Sequence, residues 1–152
     1  HADAMKPEPF QLREMMLSDY EAVLGLMRRT PGVSVREADS EAAIARFLEH
    51  NPELSFVAED GGRLVGCLMA GHDGRRGALY HLAVDAECRR RGIASALVAR
   101  CLAALEALGI HKTHVDVFRS NADGNAFWAA AGWTRRDDVH RFSMICGGGS
   151  NA

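Results

Sequence analysis

Between Ala78 and Leu97 the chain reads ALYHLAVDAECRRRGIASAL, and no other stretch restricts the possible folds as much. ALYHLAVD, from Ala78 to Asp85, is mostly apolar and rich in strand formers, which suits a strand in the interior of a sheet. A polar loop follows, with Arg89, Arg90 and Arg91 in a row. Gly92 then opens an apolar-periodic run to about Leu108, with Leu97, Cys101, Leu105 and Leu108 on one face and Gly109 suited to the C-cap. A buried strand feeding a helix in this way demands a sheet covered by helices. Backbone N–H groups at a helix start have no partner within the helix, and with the helix dipole they form an anion site. Gly92 and Ala94 keep side chains away from that backbone, Ser95 offers a hydroxyl, and the arginines supply the diffuse charge that suits a pyrophosphate. A solvated basic turn before a small-residue helix start is the competing reading.

The flanking segments complete an α/β pattern. FQLREM, from Phe10 to Met15, alternates weakly and suits a first strand. In SDYEAVLGLMRR, Ser18 and Glu21 have the spacing of a capping box, Val23, Leu26 and Met27 form an apolar face, and Arg28 and Arg29 close the helix. DSEAAIARFLEHN predicts a second helix with Ile44, Phe47 and Leu48 as its stripe, ended at Asn51-Pro52. LSFVAEDGGRLVGCLMAG reads as two strands joined at Asp60-Gly61-Gly62. KTHVDVF has the period of a strand, NADGNAFWAAAG suits a short helix capped by Asn121 or Asp123 and ended by Gly132, and WTRRDDVHRFSMI predicts a closing antiparallel pair. The expected architecture is a single α/β domain with a mixed sheet and helices on both faces, spanning residues 10–146. The opening HADAM reads as an expression remnant within a flexible stretch 1–9, and the glycine-rich residues 147–152 as a frayed tail.

Composition narrows the function. The chain has 152 residues, 47% apolar and 25% charged, with a net charge of −2, as suits one soluble domain with a real core. A pI of about 6.4 argues against a general nucleic-acid binder, so the arginines are a local feature. Cys67, Cys88, Cys101 and Cys146 form no C-x-x-C pair and read as reduced, mostly buried thiols, which points to the cytoplasm. His111 and His114 lack the neighbours that would complete a zinc ligand set, and no metal is expected. No run approaches the ~20 apolar residues of a membrane span. Walker-type and dinucleotide-type glycine patterns are absent, as is a G-x-S-x-G elbow.

Two motifs together resemble one known family. LAVDAECRRRGIASALV is similar to the acetyl-CoA signature [RQ]-x-x-G-x-[GA] of the GNAT N-acetyltransferases, here on Arg89, Gly92 and Ala94. NADGNAFWAAAGW resembles that family's second motif, and the element order matches over nearly the whole chain. Among its members, the small enzymes like the ribosomal-protein N-terminal alanine acetyltransferase look nearest. The resemblance implies a splayed strand pair and acetyl-CoA as cosubstrate. The backbone of Leu82, Ala83 and Val84 would pair with the pantetheine arm, and N–H groups across Arg90, Arg91, Gly92, Ile93, Ala94 and Ser95 would hold the pyrophosphate. Asn121 would bond to pantetheine or to neighbouring backbone, with Asn125 solvated nearby. The acceptor would be a primary amine of a small molecule or peptide; a homodimer is left open.

Two positions depart from the family pattern. The strand position that often carries glutamate or histidine, nine residues before Arg89, is Tyr80. Tyrosine, with a reference pKa of about 10, is a poor base at neutral pH. Tyr80 is nevertheless a catalytic candidate, expected on the same strand face as Leu82, and His81 is the second, though strict alternation turns it to the other face. Trp128 stands where many members have a tyrosine proposed as general acid; it would pack along the pantetheine or fill the core. His114 and Asp116 could shuttle protons but read better as edge residues. The acidic VREADSE, Val35 to Glu41, could draw a cationic amine or simply open a helix. A module that binds acyl-CoA without turnover is the alternative to an enzyme.

Overall fold

The computed structural model describes residues 9–152; the HADAM remnant lies outside them. Five strands form one sheet in the order β1-β2-β3-β4-β5: β1 Gln11–Glu14, β2 Phe56–Asp60, β3 Arg63–His72, β4 Gly77–Val84 and β5 Thr113–Val115. β1 to β4 pair antiparallel and β5 pairs parallel to β4. Four helices lie between them: α1 Tyr20–Arg28, α2 Glu41–His50, α3 Ile93–Ala107 and α4 Ala122–Ala130. No helix among the described residues is long and apolar enough to cross a membrane.

The pleat divides the core in two. One cluster joins Val23, Leu26 and Met27 of α1 and Ile44 of α2 to Val57, Cys67, Met69 and Ala83 of the sheet. The other joins Ile93, Leu97, Cys101 and Leu105 of α3 and Trp128 of α4 to Phe56, Ala58, Leu68, Ala70 and Leu79. Glycine sets the depth of the second layer. A Cβ on Gly66 of β3 would lie 2.9 Å from Ile93 Cγ2 and 3.2 Å from Leu97 Cδ1, so α3 seats its first turn on bare backbone. Cys67, Cys88 and Cys101 are buried and free, and burial pushes the Cys67 and Cys101 thiols up to about 12, while Cys146 is exposed.

Several local expectations are corrected. Ser18 does not cap α1. A short 3-10 turn, Leu17–Asp19, precedes the helix, and the Asp19 carboxylate accepts from Met16 N–H at 2.8 Å and from Arg13 at 2.7 and 2.8 Å. A carboxylate outcompetes the neighbouring hydroxyl because Arg13 makes its bonds charge-assisted. Leu108 is not on the buried face of α3; it follows the last turn and is 57% exposed. The predicted closing strand pair does not form: 134–146 lie outside helix and strand. Its charged residues satisfy one another over short spacings, Arg135 with Asp137 and Arg136 with Asp138, and the run lacks a turn that would fold it back into a ladder. Arg141 reaches Asp116 just beyond β5 at 2.6 Å, and Glu37 N–H donates to the Asn151 carbonyl at 3.1 Å.

Because α3 rests on the backbone of Gly66, Gly66→Val overpacks the interface and destabilises the fold by about 1–3 kcal/mol. At about 2–4 °C per kcal/mol for a chain of this size, thermal unfolding shows the loss directly; an unchanged midpoint contradicts the packing described.

Candidate active site

The basic loop is built around a buried carboxylate. Asp85 follows β4, is 8% exposed, and caps a 3-10 turn, Ala86–Cys88, by accepting from Glu87 N–H at 3.2 Å through Oδ1. Arg29 from the end of α1 and Arg63 from β3 both reach the other carboxylate oxygen, Oδ2, at 3.2 and 3.3 Å. The Glu87 N–H and the two guanidiniums hold the Asp85 carboxyl below the usual carboxylate range despite its desolvation. Beyond it the chain turns through left-handed backbone at Arg90 (φ 66°) and Gly92 (φ 80°) and enters α3. The first helical bond is donated by Ala96 to the Gly92 carbonyl at 3.0 Å, so the N–H groups of Ile93, Ala94 and Ser95 are not consumed by the helix. A side chain on Gly92 would meet nothing within 4 Å. Of the three arginines, Arg89 and Arg90 are exposed, whereas the Arg91 guanidinium is engaged by Asp60 in the β2–β3 hairpin. The sequence reading missed that partner, since only the fold brings the hairpin turn to the loop.

The strand that leads into this loop is irregular. On β3 the single residue Leu68 separates Cys67 from Met69, while on β4 two residues, His81 and Leu82, separate their partners Ala83 and Tyr80. His81 takes left-handed backbone, φ 58°, and the result is a β-bulge. Beyond Leu79, β4 also leaves β5: their pairing covers Gly77–Leu79 against Thr113–Val115 only, and β4 continues to Val84. The two parallel strands are therefore splayed, with the β4 edge from Tyr80 to Val84 unpaired on the β5 side.

The bulge overturns the expected alternation. Tyr80 meets Phe47 of α2 edge-on, with ring centroids 5.7 Å apart. The His81 Nε2 lies 2.8 Å from Asp39 Oδ1, just before α2. Ala83 packs into the α1/α2 cluster and Leu82 against the α3 cluster. Tyr80 and His81 thus share the α1/α2 side, and Leu82 is on the opposite one. The extra residue shifts the phase by one, which is the exception to the period-two rule.

Asp39 is 5% exposed and belongs to a 3-10 turn, Glu37–Asp39. Its Oδ2 accepts from Arg36 N–H at 2.9 Å, and its carbonyl accepts from the Tyr20 hydroxyl at 2.7 Å. Burial alone would raise its pKa; the bonds from His81 and Arg36 outweigh it and hold the carboxyl below the usual range. In the sequence Asp39 was one acid among several in VREADSE, and no local signal separates it from its solvated neighbours.

The α4 side is tightly tied. Asn121 caps α4, accepting from Gly124 N–H at 2.9 Å, and a Cβ on Gly32 would lie 2.3 Å from its Nδ2, so the α1–α2 loop rests on this carboxamide. Asn125 is not simply solvated: its Nδ2 donates to the Phe118 and Asn121 carbonyls at 2.9 and 2.7 Å. Of the two roles left open for Trp128, the structure supplies the core one. Trp128 is 8% exposed, between Phe127 and Trp133 at centroid distances of 5.0 and 4.8 Å. A cleft of about 460 Å³ between Leu102, Ile110 and Trp133 contains none of the candidate residues.

Comparison with known proteins agrees with this geometry. The family model described as acetyltransferase (GNAT) family matches residues 13–133. An acetyltransferase of Pectobacterium atrosepticum is 40% identical over 111 residues, 73% of this chain and 78% of the relative. The PaiA N-acetyltransferase of Thermoplasma acidophilum, solved in complex with coenzyme A, superposes with a TM-score of 0.77 at 17% identity, covering 87% of this chain and 94% of that one. The ribosomal-protein-S18-alanine N-acetyltransferase of Escherichia coli superposes with a TM-score of 0.67 at 21% identity, covering 82% and 77%.

The Asp85 network gives a pH signature. A carboxylate whose folded pKa is depressed stabilises the fold above its unfolded pKa, and the contribution is lost as pH falls through the folded value. Asp85→Asn therefore lowers the melting temperature by a few degrees at neutral pH, and the gap to the parent narrows below the usual carboxylate range. A gap independent of pH in paired melting curves contradicts the charged network.

Proposed function

The chain belongs to the acetyltransferase (GNAT) family, and on that premise we propose that it transfers acetyl from acetyl-CoA to a primary amine by direct attack in a ternary complex. The splay between β4 and β5 carries this reading. It leaves a strand edge free to pair with an extended arm, and the edge points into a loop whose helix start suits a pyrophosphate.

The residues fit the cosubstrate. The backbone of Leu82, Ala83 and Val84 would take the pantetheine arm as an added strand. The N–H groups from Arg90 to Ser95 would hold the pyrophosphate, with Arg89 and Arg90 as outer charge; Arg91 serves through its backbone, since its side chain is turned to Asp60. Asn121 shapes the far wall while capping α4. When bound, acetyl-CoA supplies an acyl group already activated as a thioester. N–H groups of the bulged strand would polarise the acyl carbonyl in the manner of an oxyanion hole. His81, on the acceptor side because of the bulge, is the proposed base that takes the ammonium proton. Tyr80, 44% exposed beside it, orients the amine or a proton-carrying water. Trp128 cannot protonate a thiolate and is enclosed in the core, so that proton would come from solvent or the amine.

Release of free thiol from acetyl-CoA, measured with an aminoglycoside, a polyamine, an alanyl-N-terminal peptide and a lysyl peptide, tests the activity. Binding without release for every amine would favour an acyl-CoA-binding module. Gly92→Glu places a negative side chain at the helix start and abolishes CoA binding in calorimetry, whereas Gly92→Asn, which tolerates left-handed backbone, retains it. Equal affinity of Gly92→Glu and parent sinks the pyrophosphate assignment. Tyr80→Phe keeps the ring against Phe47 and lowers kcat by roughly ten- to a hundredfold with CoA affinity unchanged; a kcat within about twofold of the parent makes Tyr80 only a wall.

A further inference from the structure

We infer that Asp39 is the positioning residue of the base: it holds the His81 proton on Nε2 and leaves Nδ1 as the nitrogen that accepts the proton of the acceptor amine. The inference rests on the reading of His81 as the base. Its observations are separate from those that carry the cosubstrate site.

Asp39 is nearly sealed from solvent and its carboxylate is divided between two partners. Oδ2 accepts from the Arg36 backbone N–H and Oδ1 faces His81 Nε2. An ionised carboxylate only accepts hydrogen bonds, so the proton between Oδ1 and Nε2 belongs to the imidazole. His81 makes no other side-chain hydrogen bond among the described residues, and no buried nitrogen there lacks a partner. Nδ1 is therefore a lone pair in contact with solvent. Two further ties keep Asp39 in place: the Tyr20 hydroxyl on its carbonyl, and the 3-10 turn that gives it a fixed approach to the bulge. Left-handed backbone at His81 completes the arrangement, since ordinary strand phase would carry the ring away from Asp39.

The proton step balances within these groups. The N–H bond of the ammonium breaks, its electron pair stays on the amine nitrogen, and an Nδ1–H bond forms. The imidazolium so made is stabilised by the Asp39 charge and then releases its proton to water. The amine leaves the step neutral and nucleophilic.

Asp39→Asn tests this sharply, because the Arg36 N–H keeps the carboxamide oxygen on its own side. The NH₂ group must then face His81 and donate to Nε2, which moves the ring proton to Nδ1 and removes the reactive lone pair. The fold keeps every other contact of the position. With the best acceptor of the amine panel, kcat falls on the order of a hundredfold or more, while CoA affinity by calorimetry and the acceptor KM stay within about twofold. Asp39→Ala, which removes the acceptor without installing a donor, loses less than Asp39→Asn. Nitrogen-15 spectra of His81 show Nε2 protonated in the parent and Nδ1 protonated in Asp39→Asn, a readout that needs no acceptor. A parental kcat in Asp39→Asn, or a parent ring protonated on Nδ1, overturns the inference. His81→Ala separates the layers: if it retains kcat, the base reading itself fails; if it loses kcat and Asp39→Asn does not, only the role of Asp39 fails.

Discussion

One surplus residue on β4 governs the candidate site. Opposite Leu68 the strand carries both His81 and Leu82, and the excess is absorbed by left-handed backbone at His81. Such backbone costs a non-glycine residue about 1–2 kcal/mol, so the surroundings must over-determine it. They do so on the α1/α2 side of the sheet: the Cys67 thiol donates to the His81 carbonyl at 3.6 Å, and Asp39 holds the ring. From this offset follow the common orientation of Tyr80 and His81, the seat of Ala83 among the α1/α2 side chains, and the end of β4 at the Asp85 turn.

The charged groups around the site are mostly spent on holding it. Asp85 draws together the ends of α1, β3 and β4 through Arg29 and Arg63, and Asp60 takes the Arg91 side chain. Arg89 and Arg90 remain at the surface, so the loop presents a smaller, better placed positive charge than its three consecutive arginines suggest. Exposed ion pairs contribute little to stability; the half-buried Asp85 cluster matters because it orients backbone that must face outward.

What the sequence made legible follows from how local the responsible physics is. The strand, basic loop and glycine-opened helix were readable because each rests on neighbouring residues, as were the hairpin at Gly61-Gly62 and the start of α4, for which Asn121 and Asp123 were both cap candidates and Asn121 takes the role. The face of His81 was not readable, because a bulge is a property of two strands and period-two counting along one of them cannot reveal it. Asp39 and Asp60 were hidden for the same reason: their partners lie at sequence separations of 42 and 31 residues. A closing strand pair was expected over residues 133–145, yet a segment becomes a strand only where another strand receives it, and the Arg135–Asp138 run meets its own needs side chain by side chain.

The buried thiols bear on how this chain can be handled. Burial pushes the Cys67 and Cys101 thiols up to about 12, so both stay protonated at neutral pH, and the thiolate is the reactive form. Cys88 is 4% exposed and shielded by the loop around it. A disulfide-exchanging dye used to count liberated coenzyme therefore meets a background of one equivalent per folded chain, at Cys146. In a trace run without acetyl-CoA, any further equivalents that appear with time report exposure of the buried thiols by unfolding, which gives the turnover trace an integrity control.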